Sequence, residues 1–241
     1  MRFRSGTDIG LKREENQDSV RCEYFGHNVL AVVCDGMGGE RAGREASTLA
    51  MEEFFQRFSA GYTENMEDEE IRRLLVSSVS AANSVIYTRA KMDLRNFGMG
   101  TTCVAAFVTD KSAFIANVGD SRAYLITDGG LHQITTDHNV ATLLYEQGKI
   151  TEEERDCHPQ KNMLIRAVGV ERTVLTDTFI LDYENQISLL LCSDGLSGYC
   201  SDDEIYDVIT GTAFDDVVQA LIDLSLRKGG RDNVTVAVIS D

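Results

Sequence analysis

The sequence predicts an α+β fold in which helices pack outside a sandwich of mostly antiparallel sheets. Three observations carry that expectation. Short apolar runs bounded by Gly, Asn and Asp succeed one another closely along the chain, which favours antiparallel pairing of neighbours. A few segments repeat apolar residues at steps of three and four instead, the helical period. Two long helices early, strands through the middle and a helix near the end suit helices laid against the outside of paired sheets.

Taken in chain order, strands are expected near 4 to 9, 18 to 24 and 28 to 34. A helix follows the Gly-rich segment, marked by Ala46, Ala50, Phe54 and Phe58. Ile71, Leu75, Val79, Ala82 and Ile86 mark a longer one, with acids from Glu67 to Glu70 at its start and Arg89 and Lys91 at its end, as the helix dipole prefers. Strands are then expected near 102 to 109, 112 to 118, 121 to 127 and 130 to 134. Thr151 with Glu154, and Ser201 with Glu204, fit capping boxes and place shorter helices downstream of each. Two more strands are expected near 175 to 181 and 187 to 192. Val217, Leu221 and Leu224 mark a helix opened by Asp215 and Asp216 and closed by Gly229, and a last strand runs near 233 to 239.

The chain has 241 residues, 43% of them apolar, enough for one large core. Pro159 is the only proline, and neither a linker nor a repeat interrupts the sequence, so one domain over 1–241 is expected. With 39 acidic against 23 basic side chains the net charge is −16, which argues against nucleic acid as a partner. The longest unbroken apolar runs, Val29 to Cys34 and Leu189 to Cys192, fall far short of the ~18 residues a membrane-spanning helix needs. No apolar stretch of the secretory type follows Arg2 and Arg4, so a cytoplasmic protein without membrane insertion is expected. The six cysteines show no CxxC spacing and read as small buried hydrophobes in a reducing compartment. The four histidines do not fall at zinc spacing, so a bound metal would have to use oxygen ligands.

Four acids stand at the ends of apolar runs. Val29 to Cys34 leads into Asp35-Gly36-Met37-Gly38-Gly39, and Ile187 to Cys192 leads into Ser193-Asp194-Gly195. Asp232 precedes the run Val234 to Ile239, and Asp18 closes Arg13-Glu14-Glu15-Asn16-Gln17-Asp18. The first segment is not a dinucleotide fingerprint, which needs glycine where Arg41 stands, nor a Walker A loop, which needs Lys-Ser/Thr where Arg44-Glu45 stands. A single Asp-Gly at a strand end is usually an ordinary turn. Four such acids brought together repel unless hard cations neutralise them, so the set reads as a Mg²⁺ or Mn²⁺ site; no EF-hand loop supports calcium.

These residues also resemble a family. Lys12 to Asp18, Asp35 to Gly39, Gly100-Thr101-Thr102, Asn117-Val118-Gly119-Asp120-Ser121-Arg122, Thr136-Asp137-His138, Arg166 to Gly169, Cys192 to Leu196 and Gly230 to Thr235 are similar, in order and spacing, to the successive motifs of the metal-dependent serine/threonine phosphatases of the 2C type, most of all the compact bacterial branch. The resemblance runs from about residue 4 to 239. It implies a four-layer α-β-β-α sandwich and hydrolysis of phosphoserine and phosphothreonine on proteins by a water or hydroxide bridging two Mn²⁺ or Mg²⁺ ions. Carried over by residue, it makes Asp35, the Gly36 carbonyl, Asp194 and Asp232 direct ligands, has Asp18 hold metal-bound water, and sets Arg13 on the substrate phosphate. Asp120, with Asp194 shared, matches the holder of a weaker third ion, and residues 140–165 match the variable flap. The family's partners would be phosphorylated proteins, with a serine/threonine kinase as the enzyme opposed, and a monomer is expected. Met37 stands where many eukaryotic relatives have a histidine suspected of protonating the leaving group, and His138 reads as structural rather than catalytic. No cysteine is followed by arginine six positions later, so a Cys-x5-Arg phosphatase loop is excluded.

Overall fold

Which way alternate side chains point along the central strands sets the layering. The computed structural model describes residues 1–96, 98–184 and 187–241, without the side chains of residues 40, 41 and 94. Its first elements are β1 (Arg2–Asp8), β2 (Asp18–Phe25), β3 (Asn28–Met37), α1 (Glu40–Gly61), α2 (Asp68–Met92), β4 (Gly100–Thr101), β5 (Cys103–Val108) and β6 (Ser112–Val118). Then come β7 (Arg122–Thr127), β8 (Gly130–Gln133), α3 (Val140–Glu146), α4 (Glu152–Asp156), β9 (Asp177–Asp182), β10 (Ser188–Cys192), α5 (Asp194–Ser197), α6 (Asp202–Gly211), α7 (Val217–Arg227) and β11 (Val234–Ser240).

All strand pairs are antiparallel. One sheet runs β1-β11-β10-β7-β8; the other runs β2-β3-β5-β6-β9, with β4 paired to the end of β3. On β3, Leu30, Val32 and Cys34 face α1 and α2, while Val29, Ala31 and Val33 face the second sheet. On β11, Val234, Val236 and Val238 face α6 and α7, while Ala237 and Ile239 face inward. Three separate apolar clusters therefore lie between four layers: helices, sheet, sheet, helices. Because both faces of these strands are covered, they read as continuous apolar runs rather than as alternating ones. Each fully buried Phe of the α1 face, Phe54 and Phe58 among them, contributes roughly 1.5–3 kcal/mol.

Both expected capping boxes are formed, Thr151 N–H donating to Glu154 Oε2 at α4 and Ser201 N–H to Glu204 Oε2 at α6, and a third that was not expected opens α2, where Glu67 N–H donates to Glu70 Oε2. Each expected strand appears, with ends shifted by a few residues. Three elements differ from expectation: β4, α3 and α5. β4 is two residues long and exists through its pairing with Gly36 and Met37, a partnership that its own two residues do not encode. The cysteine expectation needs correction. Cys34, Cys103, Cys192 and Cys200 are buried, but Cys22 is half-buried and Cys157 is exposed. Cys157 follows Arg155-Asp156 at the end of α4, a helix with no buried residue. No described helix is long and apolar enough to cross a membrane.

Candidate metal centre

The two sheets meet edge to end at the acids. Asp18 opens β2 and is the register partner of Asp35 on β3, so both side chains leave the same face of that sheet. Asp194 begins α5 directly after β10, and Asp232 lies two residues before β11, the strand that pairs with β10. Ser193 joins the sheets: its Oγ donates to Asp18 Oδ2 at 2.7 Å and accepts from Thr235 N–H at 3.0 Å. Two glycines let the backbone close up here. A β-carbon at Gly36 would stand 2.1 Å from the Gly43 carbonyl oxygen, and one at Gly195 would stand 1.8 Å from that of Asn233.

The electrostatics show how tightly the acids are gathered. Asp35 lies close enough to Asp18 and Asp194 for each to feel the others' charge. Burial, followed by the charges of Asp18, Asp194, Asp120 and Asp232, pushes the Asp35 carboxyl well above the ordinary carboxylate range. Burial and the charge of Asp232 raise Asp18 to about 6; burial, Asp232 and Asp18 raise Asp194 to about 7. Asp120, 8% exposed, is raised well above its usual value by burial, Asp194 and Asp137. Arg13 Nη2 donates to Asp232 Oδ2 at 2.7 Å, with the arginine side chain half exposed at the rim. The structure thus brings Arg13, Asp18, Asp35, Asp120, Asp194 and Asp232 into one neighbourhood, with Gly36 on the strand between them.

Does this donor set suit a divalent ion? Asp18 Oδ1 and Asp194 Oδ1 are buried carboxylate oxygens without a hydrogen-bond partner. Acceptor-only groups that face one another in a buried place need a proton or a cation between them. The chemistry is all hard oxygen, the kind that Mg²⁺ and Mn²⁺ take. As the side chains stand, no three His, Cys, Asp or Glu among the described residues are arranged to hold an ion together. Asp232 is turned to Arg13, and Asp18 to Ser193. The donor chemistry fits, while a ligand geometry is not drawn by the side chains themselves.

Sequence reasoning missed the residues that brace these acids. Thr102 Oγ1 accepts from Asp35 N–H at 2.9 Å and shares a hydrogen bond with Ser121 Oγ at 2.7 Å, and Thr101 Oγ1 donates to the Asp35 carbonyl. Asn233 accepts from Gln17 N–H and donates to the carbonyls of Ile9 and Glu15, tying the segment before Asp18 to Asp232. Their signal was membership of the motifs Gly100-Thr101-Thr102, Asn117 to Arg122 and Gly230 to Thr235, in which they carried no assigned role. A cleft of about 720 Å³ opens beside the cluster. Asp120, Asp137, Asp194 and Asp202 line one side, and Tyr145 of α3 and Arg155 of α4 the other, so the predicted flap forms one wall. Met37 ends β3 opposite Gly100.

Comparison with known proteins places this arrangement. The family described as Protein phosphatase 2C matches residues 9–234. The serine/threonine phosphatase stp of Listeria welshimeri is 37% identical over 237 residues, covering 97% of this chain and 93% of that protein. The crystal structure of the serine/threonine phosphatase Stp1 from Staphylococcus aureus superposes with a TM-score of 0.91 at 37% identity, over 98% of this chain and 93% of that one. The catalytic domain of the serine/threonine protein phosphatase PstP, solved in complex with two manganese ions, superposes with a TM-score of 0.83 at 33% identity, over 100% of this chain and 97% of that one.

Proposed function

Because the chain belongs to the protein phosphatase 2C family, we propose that it is a serine/threonine protein phosphatase whose acid cluster holds two Mn²⁺ or Mg²⁺ ions. In this reading Asp35, the Gly36 carbonyl, Asp194 and Asp232 are the direct ligands, Asp18 supports the ions from β2, and Asp120 with Asp194 holds a weaker third. When bound, such ions clamp phosphoryl oxygens and lower the pKa of the attacking water. The manganese pair in the PstP catalytic domain supports this assignment. The observation that carries it is the convergence of Asp18 and Asp35 from one sheet with Asp194 and Asp232 from the other.

The chain's own residues divide the remaining work. Arg13, half exposed at the rim, offers a planar fork that bonds two phosphate oxygens, a needed attraction in a chain of charge −16. Ser193 holds the Asp18 carboxylate, and Thr102 holds the backbone of Asp35. The thioether of Met37 cannot donate a proton, so the departing serine or threonine oxygen takes its proton from elsewhere. The cleft beside Asp194 and Asp120 gives the substrate chain a place to lie against the flap at 140–165. The rest of the reading is a single catalytic domain over 1–241, monomeric and cytoplasmic, acting in signalling on phosphorylated proteins and opposing a serine/threonine kinase, with no nucleic acid partner.

The test is hydrolysis of p-nitrophenyl phosphate and of a phosphothreonine peptide with and without chelator and added Mn²⁺, in the native chain and in Asp35→Asn and Asp194→Asn. Turnover should vanish in chelator, return with Mn²⁺, and be nearly absent in both variants. Full activity in excess chelator would overturn the proposal.

A further inference from the structure

We propose that His138 is a positioning residue for Asp120, joining the root of the flap to the turn that presents this acid; the inference rests on the reading of Asp120 as a holder of the third ion. His138 is 4% exposed, and both of its ring nitrogens are engaged. Gly119 N–H donates to Nδ1 at 3.0 Å, and His138 N–H donates back to the Gly119 carbonyl at 3.0 Å. The residue next to Asp120 is therefore clasped by one histidine through backbone and ring together. Gly119 has φ of +110°, a conformation natural to glycine, and a β-carbon there would stand 2.6 Å from Thr102 Cγ2. The turn is thus held on the opposite side by the same threonine that braces Asp35.

The tautomer follows from these contacts. Nδ1 accepts, so the ring proton is on Nε2, which donates to Asp177 Oδ2 at 3.0 Å. Arg166 Nη1 donates to Asp177 Oδ1 at 2.6 Å and approaches Nε2 at 3.0 Å, a contact between two donors that the shared carboxylate holds in place. A second proton on the ring would confront Gly119 N–H, so His138 stays neutral and has none to give a leaving group; burial lowers its pKa in the same sense. The backbone at His138 is also where the two ends of the flap meet. Ile165 N–H donates to the His138 carbonyl, Asn139 bridges Leu164, and Val140 N–H donates to the Met163 carbonyl. Movement at the flap root consequently reaches the turn before Asp120 through the backbone and ring of His138.

Two isosteres separate the ring's functions. Asn at 138 sets an amide oxygen near the place of Nδ1 and keeps the acceptor for Gly119; Gln reaches toward Asp177 and loses that acceptor. Mn²⁺ binding is followed by calorimetry and turnover by phosphopeptide hydrolysis, with Asp120→Asn as reference. One lost hydrogen bond predicts that His138→Gln weakens the weakest Mn²⁺ site and lowers kcat by about tenfold, while His138→Asn stays within about threefold of the native chain. In the Asp120→Asn background, His138→Gln should change kcat by less than about twofold, since a residue acting only through Asp120 has nothing left to act on. Full additivity, or equal behaviour of the Gln and Asn variants, would overturn the positioning role alone. An Asp120→Asn variant with unchanged Mn²⁺ binding and kcat would overturn the third-ion reading and the inference with it. Should His138→Gln not fold, Asp177→Asn, at a partly exposed position, sets an amide donor against Arg166 or Nε2. It should lower kcat about threefold in the native background and leave it unchanged in Asp120→Asn; an unchanged kcat in the native background would refute the inference.

Discussion

Replacing Gly195 with alanine tests whether backbone closeness builds the site. The added β-carbon would stand 1.8 Å from the Asn233 carbonyl oxygen, 2.8 Å from its carbon and 3.1 Å from Val234 Cα. All three obstructing atoms are backbone, so no side chain can swing aside. To restore a 3.0 Å contact, the start of β11 must retreat by at least about 1.2 Å. The Gly195 carbonyl is meanwhile held by buried Ser225 Oγ at 2.7 Å, so α5 cannot easily move in its place. Overpacking costs about 1–3 kcal/mol, and immovable neighbours put this case near the top, about 3 kcal/mol. For a chain of this size that corresponds to a Tm lower by roughly 6–12 °C. The retreat also parts Asp232 from Asp194, and a displacement of that size lowers turnover by about 100-fold. Gly211→Ala is the control: the same methyl group at the end of α6 meets nothing within 4 Å and should be neutral or stabilising by up to about 1 kcal/mol. The assays are thermal unfolding in chelator and Mn²⁺-dependent hydrolysis. Equal Tm and equal turnover in the two variants would refute the reasoning.

Four further outcomes are expected. Mn²⁺ at a hundredfold excess over Kd should add about 2.7 kcal/mol to stability. In chelator the raised values of Asp18, about 6, and Asp194, about 7, mean that the folded chain binds more protons than the unfolded one between about pH 4 and 7. Stability should therefore fall as pH rises through that window, and a chelated Tm equal at pH 5 and 8 would contradict the assigned shifts. Arg13→Ala should raise KM for a phosphopeptide about tenfold or more while leaving Mn²⁺ affinity unchanged or tighter, because the guanidinium also binds Asp232; an unaltered KM and kcat would return Arg13 to an ordinary surface charge. Met37→His should leave p-nitrophenyl phosphate turnover nearly constant and change that of a phosphothreonine peptide, whose leaving group needs a proton; equal effects on both substrates would show that position 37 only packs the loop.

Much of the layering was legible because burial on both sides writes itself as unbroken apolar runs, as in Val29 to Cys34. Which of those residues faces which layer was not, since the run is the same from either face. The acids stood out as charges that end such runs. Their convergence depends on Asp18 of one sheet and Asp232 beside the other, remote in sequence, meeting through contacts of Ser193 and Asn233 that no local pattern encodes. The ordered family motifs supplied what spacing could not. The pairing of β4 and the bracing role of Asn233 stayed unread, although both lie in those motifs, because they are set by distant partners. Cys157 was misread because composition was weighed ahead of its polar neighbours.

The strands nearest the two ends of the fold, β1 and β11, lie side by side, and β11 is itself wedged between β1 and β10. During vectorial synthesis, a chain that has emerged through α7 carries Asp18, Asp35 and Asp194 but lacks both the wedge and Asp232. Its sheet has a gap where seven residues must later insert, and this long-range closure belongs to the slow class of folding events. If the proposed site needs Asp232, activity is expected only once the entire sandwich has closed. A chain ending before Asp232 lacks one of the acids of the proposed metal site and the strand that closes the sheet, and is expected to show no turnover of a phosphopeptide.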